Sequence, residues 1–85
     1  MYRVDITKVA KRDLHALDFS VLNVIDHAIL SLEGNPHPPA SRQLKGFYGY
    51  RLRVGDYRII YTIDHTHKVV TVYRVRHRRE VYRGY

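Results

Sequence analysis

The amino-acid sequence predicts an α+β fold. We expect an N-terminal strand, then a two-helix hairpin packed on one face of an antiparallel sheet that ends in a three-stranded meander. Two patterns support this prediction. Apolar residues recur at helical spacing in two successive segments within residues 7–33. Apolar and polar residues then alternate in three segments of the second half, separated by short turns. Helices followed by strands are typical of folds in which the helices are segregated to one side of the sheet.

The first 17 residues predict a strand followed by a helix. Residues 2–6 alternate apolar and polar side chains, as a half-buried strand does. Thr7 is a suitable N-cap because its hydroxyl can accept a backbone N–H of the first helical turn. The helix is predicted to extend to about Leu17. Its apolar stripe consists of Val9, Ala10, Leu14 and Leu17.

A second helix is predicted over residues 18–33. Asp18 or Ser20 can cap its start, and the Gly-Asn-Pro sequence of residues 34–36 stops it, because glycine suits a left-handed C-cap and proline cannot continue a helix. Residues 37–41 are predicted to form an extended connector. The apolar stripe of this helix consists of Val21, Leu22, Ile25, Ala28, Ile29 and Leu32.

The second half predicts three strands, at about residues 46–54, 57–64 and 68–75. The first connection is a two-residue turn, and the second is a tight polar turn. The tail, residues 76–85, is predicted to be a short helix or irregular.

The predicted hairpin collects arginines on one face of the sheet. If residues 55–56 (Gly-Asp) form its turn, Arg53 lies directly opposite Arg58, and Arg51 lies beside them on the same face. Like charges opposite each other destabilise a strand pair, so the arrangement indicates an anionic ligand. Phosphate is the obvious candidate because arginine binds it through a bidentate fork. The side chains of the opposite, apolar face are Leu52, Val54, Tyr57 and Ile59.

Positive charge is concentrated in the last part of the chain. The net charge is +7, and residues 50–85 hold nine arginines and lysines against three carboxylates, whereas residues 1–49 are nearly balanced. Eight of those nine basic residues are arginines. Such a field favours a polyanionic partner, either nucleic acid or an acidic protein segment.

Length and composition exclude several other classes. The chain of 85 residues is predicted to be one domain, residues 1–85. It has no cysteine, so neither a disulfide nor a thiolate zinc site can brace it. No apolar run is long enough for a membrane span or a signal peptide, and we expect a cytoplasmic protein without a membrane partner.

Four segments, taken together, carry a family resemblance. They are residues 32–36 (Leu-Glu-Gly-Asn-Pro), 44–46 (Leu-Lys-Gly), 50–61 (Tyr-Arg-Leu-Arg-Val-Gly-Asp-Tyr-Arg-Ile-Ile-Tyr) and 77–82 (His-Arg-Arg-Glu-Val-Tyr). In this order and at this chain length, they resemble the RelE toxin family. That family belongs to the RelE/ParE superfamily of toxin–antitoxin systems. The resemblance covers essentially the whole chain.

The resemblance implies an enzyme that acts on RNA. RelE-type toxins are endonucleases that cut mRNA in the ribosomal A site by attack of a ribose 2′-OH on the adjacent phosphate, which inhibits translation. A small antitoxin whose chain wraps the toxin holds them inactive. We therefore expect a RelB-like antitoxin and ribosome-bound mRNA as partners, and a hetero-oligomer with the antitoxin. We expect no cofactor and metal-independent cleavage, because the chain offers an arginine cluster but no carboxylate group suited to divalent metals.

The resemblance also implies roles for individual residues. Arg58 corresponds to the phosphate-binding arginine of the family. Arg78, or alternatively Arg76, corresponds to its later arginine, and Tyr82 to its C-terminal tyrosine. The residues expected to bind the RNA are Arg51, Arg53, Arg76 and Lys45.

The chain departs from well-known ribosome-dependent members, which have lysines where it has Arg51 and Arg53. Arginine effectively cannot lose a proton, so neither residue can act as the general base. His77 is the natural replacement, because imidazole titrates near neutral pH.

The other histidines are predicted to have no catalytic role. His65 and His67 lie two residues apart on a turn, which is poor evidence for a metal site without carboxylate or thiolate company, so we interpret them as surface residues. The remaining ones, interpreted as partly exposed structural residues, are His15, His27 and His37.

A second class of function stays open. A ParE-like toxin inhibits DNA gyrase without cutting RNA, and a RelE-like domain could also have lost its nuclease site and kept only binding. Members of the ParE branch usually lack the full set of basic residues and tyrosine, which this chain retains. The sequence therefore favours the nuclease.

Overall fold

The computed structural model describes residues 1–46 and 48–81 of the chain. In this part of the chain, five strands form one sheet, and the predicted α+β class is confirmed. None of the helices in these residues is long and apolar enough to cross a membrane. In chain order the elements are β1 (Arg3–Ile6), α1 (Lys8–His15), α2 (Phe19–Ser31), β2 (Ser41–Gln43), β3 (Tyr50–Val54), β4 (Tyr57–Asp64), β5 (Val69–His77) and α3 (Arg78–Val81).

The sheet is mixed rather than antiparallel throughout. Its strand order is β1-β5-β4-β3-β2, and β3, β4 and β5 form the predicted antiparallel meander. β1 instead runs parallel to β5, so that Arg3 lies beside Val69 and Ile6 lies beside Val72. Because β1 and β2 form opposite edges of the sheet, the two helices between them carry the chain from one edge to the other.

One edge of the sheet is a strand that the sequence did not predict. β2 has the sequence Ser-Arg-Gln, which lacks the apolar alternation that indicates a strand, yet it pairs antiparallel with β3. A loop containing Gly46, whose φ is +68°, follows it, so β3 starts at Tyr50 and not at residue 46 as predicted. The side chain of Arg42 in β2 folds back on the edge. Its Nη1 donates to the carbonyl oxygens of Pro39 and Ser41, at 2.9 and 2.8 Å.

Both long helices bury most of the apolar stripes that predicted them, but Val9 of α1 is exposed. Thr7 caps α1 as predicted, because its Oγ1 accepts the backbone N–H of Ala10 at 3.1 Å. Asp18 precedes α2, but its side chain makes no capping hydrogen bond. Leu17 is only partly buried against the core. The buried core consists of Ala10, Leu14, Ile25, Ile29, Leu32, Leu52, Ile59, Tyr61, Ile63, Val70, Val72 and Val75.

A buried tyrosine ties the sheet to the connector after α2. Tyr61 has no exposed surface, and its hydroxyl donates to the carbonyl oxygen of Pro36 at 2.8 Å. Burial raises the pKa of Tyr61, because low-dielectric surroundings disfavour the phenolate. The ring of Tyr50 stacks on that of Tyr61, with centroids 5.8 Å apart.

Helix α1 fixes the part of β5 that extends beyond β1. The register shift between β4 and β5 gives β5 one extra residue, Tyr73. Next to this bulge, the carboxylate of Asp13 accepts the backbone N–H of Val75 at 2.9 Å and pairs with Arg74 at 2.9 Å. The extra residue shifts the alternation of the strand, so that Val75 points into the core and Arg76 falls on the opposite face.

Candidate nucleic-acid interface

The β3–β4 turn holds two arginines side by side. Gly55 has a φ of +58°, which a residue without a Cβ adopts at little cost, and Arg53 pairs directly with Arg58, as the sequence predicts. The carbonyl oxygen of Asp56 in the same turn accepts the backbone N–H of Arg78 at 2.7 Å. This hydrogen bond fixes the start of α3 next to the hairpin.

Three arginines form a row across the sheet, on the face turned away from the core. Arg53 of β3 lies opposite Arg58 of β4, which lies opposite Arg76 of β5. Like charges in directly opposed positions destabilise the pairing of strands. The same row raises the local positive potential, which attracts anions. The arrangement therefore favours a bound phosphate.

A second row lies next to the first on the same face. Arg42 of β2 pairs with Arg51 of β3, and Arg51 pairs with Ile60 of β4. Ile60 is buried despite lying on the basic face. The next residue in this row, Arg74, binds Asp13 in α1 through Nε and Nη2, at 2.9 and 3.3 Å. Arg74 therefore has a structural partner, and it contributes less than Arg51 to the potential of the face.

Arg58 is the buried charge of the site. Only 6% of its surface is exposed. Its Nη1 donates to the carbonyl oxygens of Gly55 and Tyr57, at 3.3 and 3.0 Å. Because both acceptors are backbone atoms at the turn, they fix the orientation of the guanidinium more firmly than mobile side chains could. The geometry therefore gives a preorganised donor group.

The arginines enclose two adjoining concavities that share Arg53. The larger, about 490 Å³, is lined by Arg53, Arg58, Arg78 and Arg79. The smaller, about 180 Å³, is lined by Ala40, Arg42, Arg51 and Arg53. Two of these arginines, Arg42 and Arg79, were not predicted from the sequence. Arg79 directly follows Arg78, which was predicted as a site residue. Arg42 lies in β2, whose sequence lacks the apolar alternation of a strand.

His77 lies on the other face of the sheet. It pairs with Tyr57, and the two rings meet edge to face with centroids 5.3 Å apart. Tyr57 itself packs against the core. Nδ1 of His77 accepts the backbone N–H of Arg79 at 3.3 Å, and a neutral imidazole that accepts at Nδ1 carries its proton on Nε2. This geometry lends no support to His77 as the general base, and the role stays a prediction.

The remaining predicted residues are placed as follows. Lys45 is exposed in the loop before β3, at the opposite end of that strand from the Gly55 turn, and so lies apart from the larger concavity. Tyr82 lies outside the described residues. In the part of the chain that is described, no group of three or more His, Cys, Asp or Glu side chains is arranged to hold a metal ion.

Comparison with known proteins places this geometry in a family. The model of the family "ParE toxin of type II toxin-antitoxin system, parDE" matches residues 4–82. The toxin RelG of Mycobacterium tuberculosis is 38% identical over 86 aligned residues, which cover 96% of this chain and 97% of RelG. The toxin RelE of the same organism is 34% identical, over 96% of this chain and 87% of its own.

Solved structures agree with the sequence matches. A chain of the toxin–antitoxin complex RelBE2 from Mycobacterium tuberculosis superposes with a TM-score of 0.81 at 32% identity, covering 89% of this chain and 96% of that chain. The chain is therefore a RelE-like member of the ParE toxin family of type II toxin–antitoxin systems.

Proposed function

We propose that this toxin is a metal-independent endonuclease that cleaves mRNA in the ribosomal A site and thereby inhibits translation in the cytoplasm. The observation that supports this proposal most is the buried, backbone-held guanidinium of Arg58 in a concavity lined by three further arginines. A site of this kind suits a reaction whose transition state carries more negative charge than its substrate.

The proposed reaction is an internal transfer at phosphorus. The ribose 2′-oxygen forms a bond to the adjacent phosphorus and loses its proton, while the bond from phosphorus to the 5′-oxygen of the next nucleotide breaks and that oxygen gains a proton. The products are a 2′,3′-cyclic phosphate, which can open to a 3′-phosphate, and a 5′-hydroxyl. Arg58 and Arg78 would stabilise the charge that develops on the non-bridging oxygens.

The other basic residues would hold the RNA backbone. Arg51, Arg53 and Arg76 lie on the same sheet face as Arg58, so a single strand of RNA along this face can contact all of them. Lys45 would contact the strand only further along. Tyr82 would stack on a base or donate its hydroxyl to a phosphate oxygen, and Tyr82→Phe separates the ring from the hydroxyl.

The proton of the 2′-OH needs an acceptor, and His77 remains a proposal for this role. A base role requires that His77→Gln lowers the cleavage rate strongly and shifts the acidic limb of the pH–rate profile. If His77→Gln cleaves at the normal rate, no described side chain is an evident base. Proton removal then falls to ribosomal RNA, to water or to the alignment of the substrate.

We further propose a RelB-like antitoxin as the partner that holds the toxin inactive. The solved relatives with this fold include the RelBE2 complex and an archaeal RelE–RelB complex from Pyrococcus horikoshii, which has a TM-score of 0.81 and 30% identity. A positive field such as that of residues 50–85 favours an acidic or amphipathic segment of the antitoxin. Co-expression of the product of the adjacent reading frame should restore growth.

The test of the function is inducible expression of the toxin with and without that reading frame, with mapping of mRNA 5′ ends. We expect new ends inside coding sequences, with free 5′-hydroxyls, only when the toxin is expressed alone. Cleavage in vitro should survive EDTA while the ribosomes are kept intact, and activity that vanishes with EDTA and returns with magnesium would contradict metal independence. The matching family model is named for ParE toxins, and the alternative function is inhibition of DNA gyrase, so a supercoiling assay belongs in the same experiment. Inhibited gyrase with intact mRNA would refute the nuclease proposal in favour of the ParE-like alternative.

A further inference from the structure

Two histidines from distant parts of the sequence meet at the end of the sheet remote from Arg58. His37 belongs to the connector after α2, and His65 to the β4–β5 turn. Their Nε2 atoms are 3.4 Å apart, and their rings are stacked, with centroids 5.4 Å apart and planes inclined by 24°. Both residues are exposed to solvent. The toxin activity proposed above uses neither of them.

The separation of the two nitrogens fits a shared metal ion better than a hydrogen bond. Protein N–H···O hydrogen bonds are most often about 2.9–3.0 Å long, so the 3.4 Å between these two ring nitrogens is long for a hydrogen bond. Two nitrogens that each bind a tetrahedral Zn²⁺ at about 2.0–2.1 Å are separated by about 3.4 Å. We propose that His37 and His65 form a binding site for a divalent transition metal ion of the Zn²⁺ class, with Nε2 of each imidazole as the ligand.

Neighbouring residues contact both histidine rings and help to fix their orientation. The hydroxyl of Tyr2 lies 2.7 Å from Nδ1 of His65. If Nδ1 donates to that hydroxyl, the lone pair of His65 is on Nε2, which is the tautomer that a metal ligand needs. The rings of His37 and Tyr50 meet edge to face, with centroids 5.1 Å apart. A hydrogen-bond partner on the ring nitrogen that does not bind the metal fixes the orientation of a ligating imidazole.

The backbone that carries His37 is also anchored. Its N–H donates to Oδ1 of Asn35 at 3.0 Å, and the carbonyl oxygen of Pro36 accepts the hydroxyl of the fully buried Tyr61. The ligand position is therefore tied to the core, although the imidazole itself faces solvent. An anchored pair loses less conformational entropy on binding an ion than two mobile side chains would.

The site is open, and it is separate from the arginine face. Because no third His, Cys, Asp or Glu converges with this pair among the described residues, two of the four tetrahedral positions are left to water or to a donor from another molecule. β4 starts next to Arg58 and ends just before His65, so about seven residues of extended strand, or about 20 Å, separate the two sites. A metal bound here would not contact a phosphate held at Arg58.

The test is a titration of tag-free, metal-stripped protein with Zn²⁺ by calorimetry, and with Co²⁺ by visible absorption. We expect saturable binding of one ion per chain, a tetrahedral Co²⁺ spectrum and a higher Tm with Zn²⁺ present. His37→Gln and His65→Gln should each weaken binding by more than about tenfold and abolish the rise in Tm. Tyr2→Phe should weaken Zn²⁺ binding by about tenfold, because it removes the hydroxyl that contacts Nδ1 of the ligand His65.

His67→Gln is the matched control. His67 lies on the same turn and is also exposed, but its Nδ1 pairs with Asp64 at 2.8 Å, so this variant should bind Zn²⁺ as the unmodified protein does. Equal Tm values of all variants in chelator would show that each one folds. The proposal is overturned if no saturable binding occurs, if His37→Gln binds normally, or if only His67→Gln loses the ion. RNA cleavage should be unchanged in His37→Gln, so failure of the metal site leaves the proposed nuclease untouched.

Discussion

Substitution of Arg58 by lysine tests whether the site depends on a fixed guanidinium or only on positive charge. Nη1 of Arg58 donates to two carbonyl oxygens of the turn, while the same planar group carries further N–H donors that can face a phosphate. Lysine has all its donors on one nitrogen. A lysine whose ammonium group donates to the two carbonyl oxygens therefore points away from the phosphate. If the ammonium group reaches the phosphate instead, the two carbonyl oxygens lose their hydrogen-bond donor.

The magnitude follows from the loss of one preorganised donor group. Such a loss lowers the rate by about 10²–10³-fold, or about 2.7–4 kcal/mol of transition-state stabilisation. Arg53 provides the matched control, because it lies directly opposite Arg58 on β3 but is exposed, and its proposed role is to hold the RNA backbone as a charge. Arg53→Lys should therefore lose less than about tenfold, since lysine remains a phosphate binder as a point charge.

The assay is single-turnover cleavage of mRNA on programmed ribosomes, at toxin concentrations high enough to saturate binding. Urea unfolding of each variant establishes that the protein is folded under the assay conditions. If Arg58→Lys cleaves as fast as Arg53→Lys, the buried guanidinium has no special role and the reasoning is wrong. A loss of affinity with an unchanged rate at saturation would also contradict it, because it would make Arg58 a backbone contact.

Three further predictions concern the scaffold. Ile29→Ala should lower the free energy of unfolding by about 2–5 kcal/mol, because Ile29 is buried in the core. If urea unfolding shows a loss below about 1 kcal/mol, the surrounding side chains fill the cavity and the expected packing cost is refuted. Asp13→Ala should lower the free energy of unfolding by about 1–3 kcal/mol, because it leaves the Val75 N–H and Arg74 without their acceptor. Asp13→Asn should lower it less if the hydrogen bond to the Val75 N–H contributes most, because the amide oxygen of asparagine can still accept that bond. Tyr61 has a raised pKa in the folded protein, so its contribution to stability is complete below pH 10, the ordinary tyrosine pKa, and should be lost as the pH rises through the folded-state pKa. Tyr61→Phe should flatten this alkaline loss, which equilibrium unfolding at several pH values would detect.

Local patterns predicted the hairpin correctly. A two-residue turn with glycine fixes the pairing register, so the opposition of Arg53 and Arg58 followed from residues 50–61 alone. The helices were predicted for the same reason, since their apolar stripes and the Thr7 cap are local. Each of these features depends on residues that are close together in the sequence.

Features that depend on distant residues were not predicted. The parallel pairing of Arg3 with Val69 joins the first strand of the chain to the last, and no periodicity within β1 indicates which strand it pairs with. The strand β2 has a polar sequence and exists because β3 offers it a pairing edge. The face on which His77 lies depends on its pairing with Tyr57 in β4, which the sequence analysis did not derive.

The shortness of β2 has a consequence for the toxin when it is free of a partner. An exposed edge strand offers unpaired backbone groups to other chains and can start edge-to-edge aggregation. Here that edge is three residues long, and the Arg42 side chain returns across it to bind the carbonyl oxygens of Pro39 and Ser41. A charged arginine at this position also repels a second copy of the same edge. The geometry thus limits self-association of the free toxin through β2.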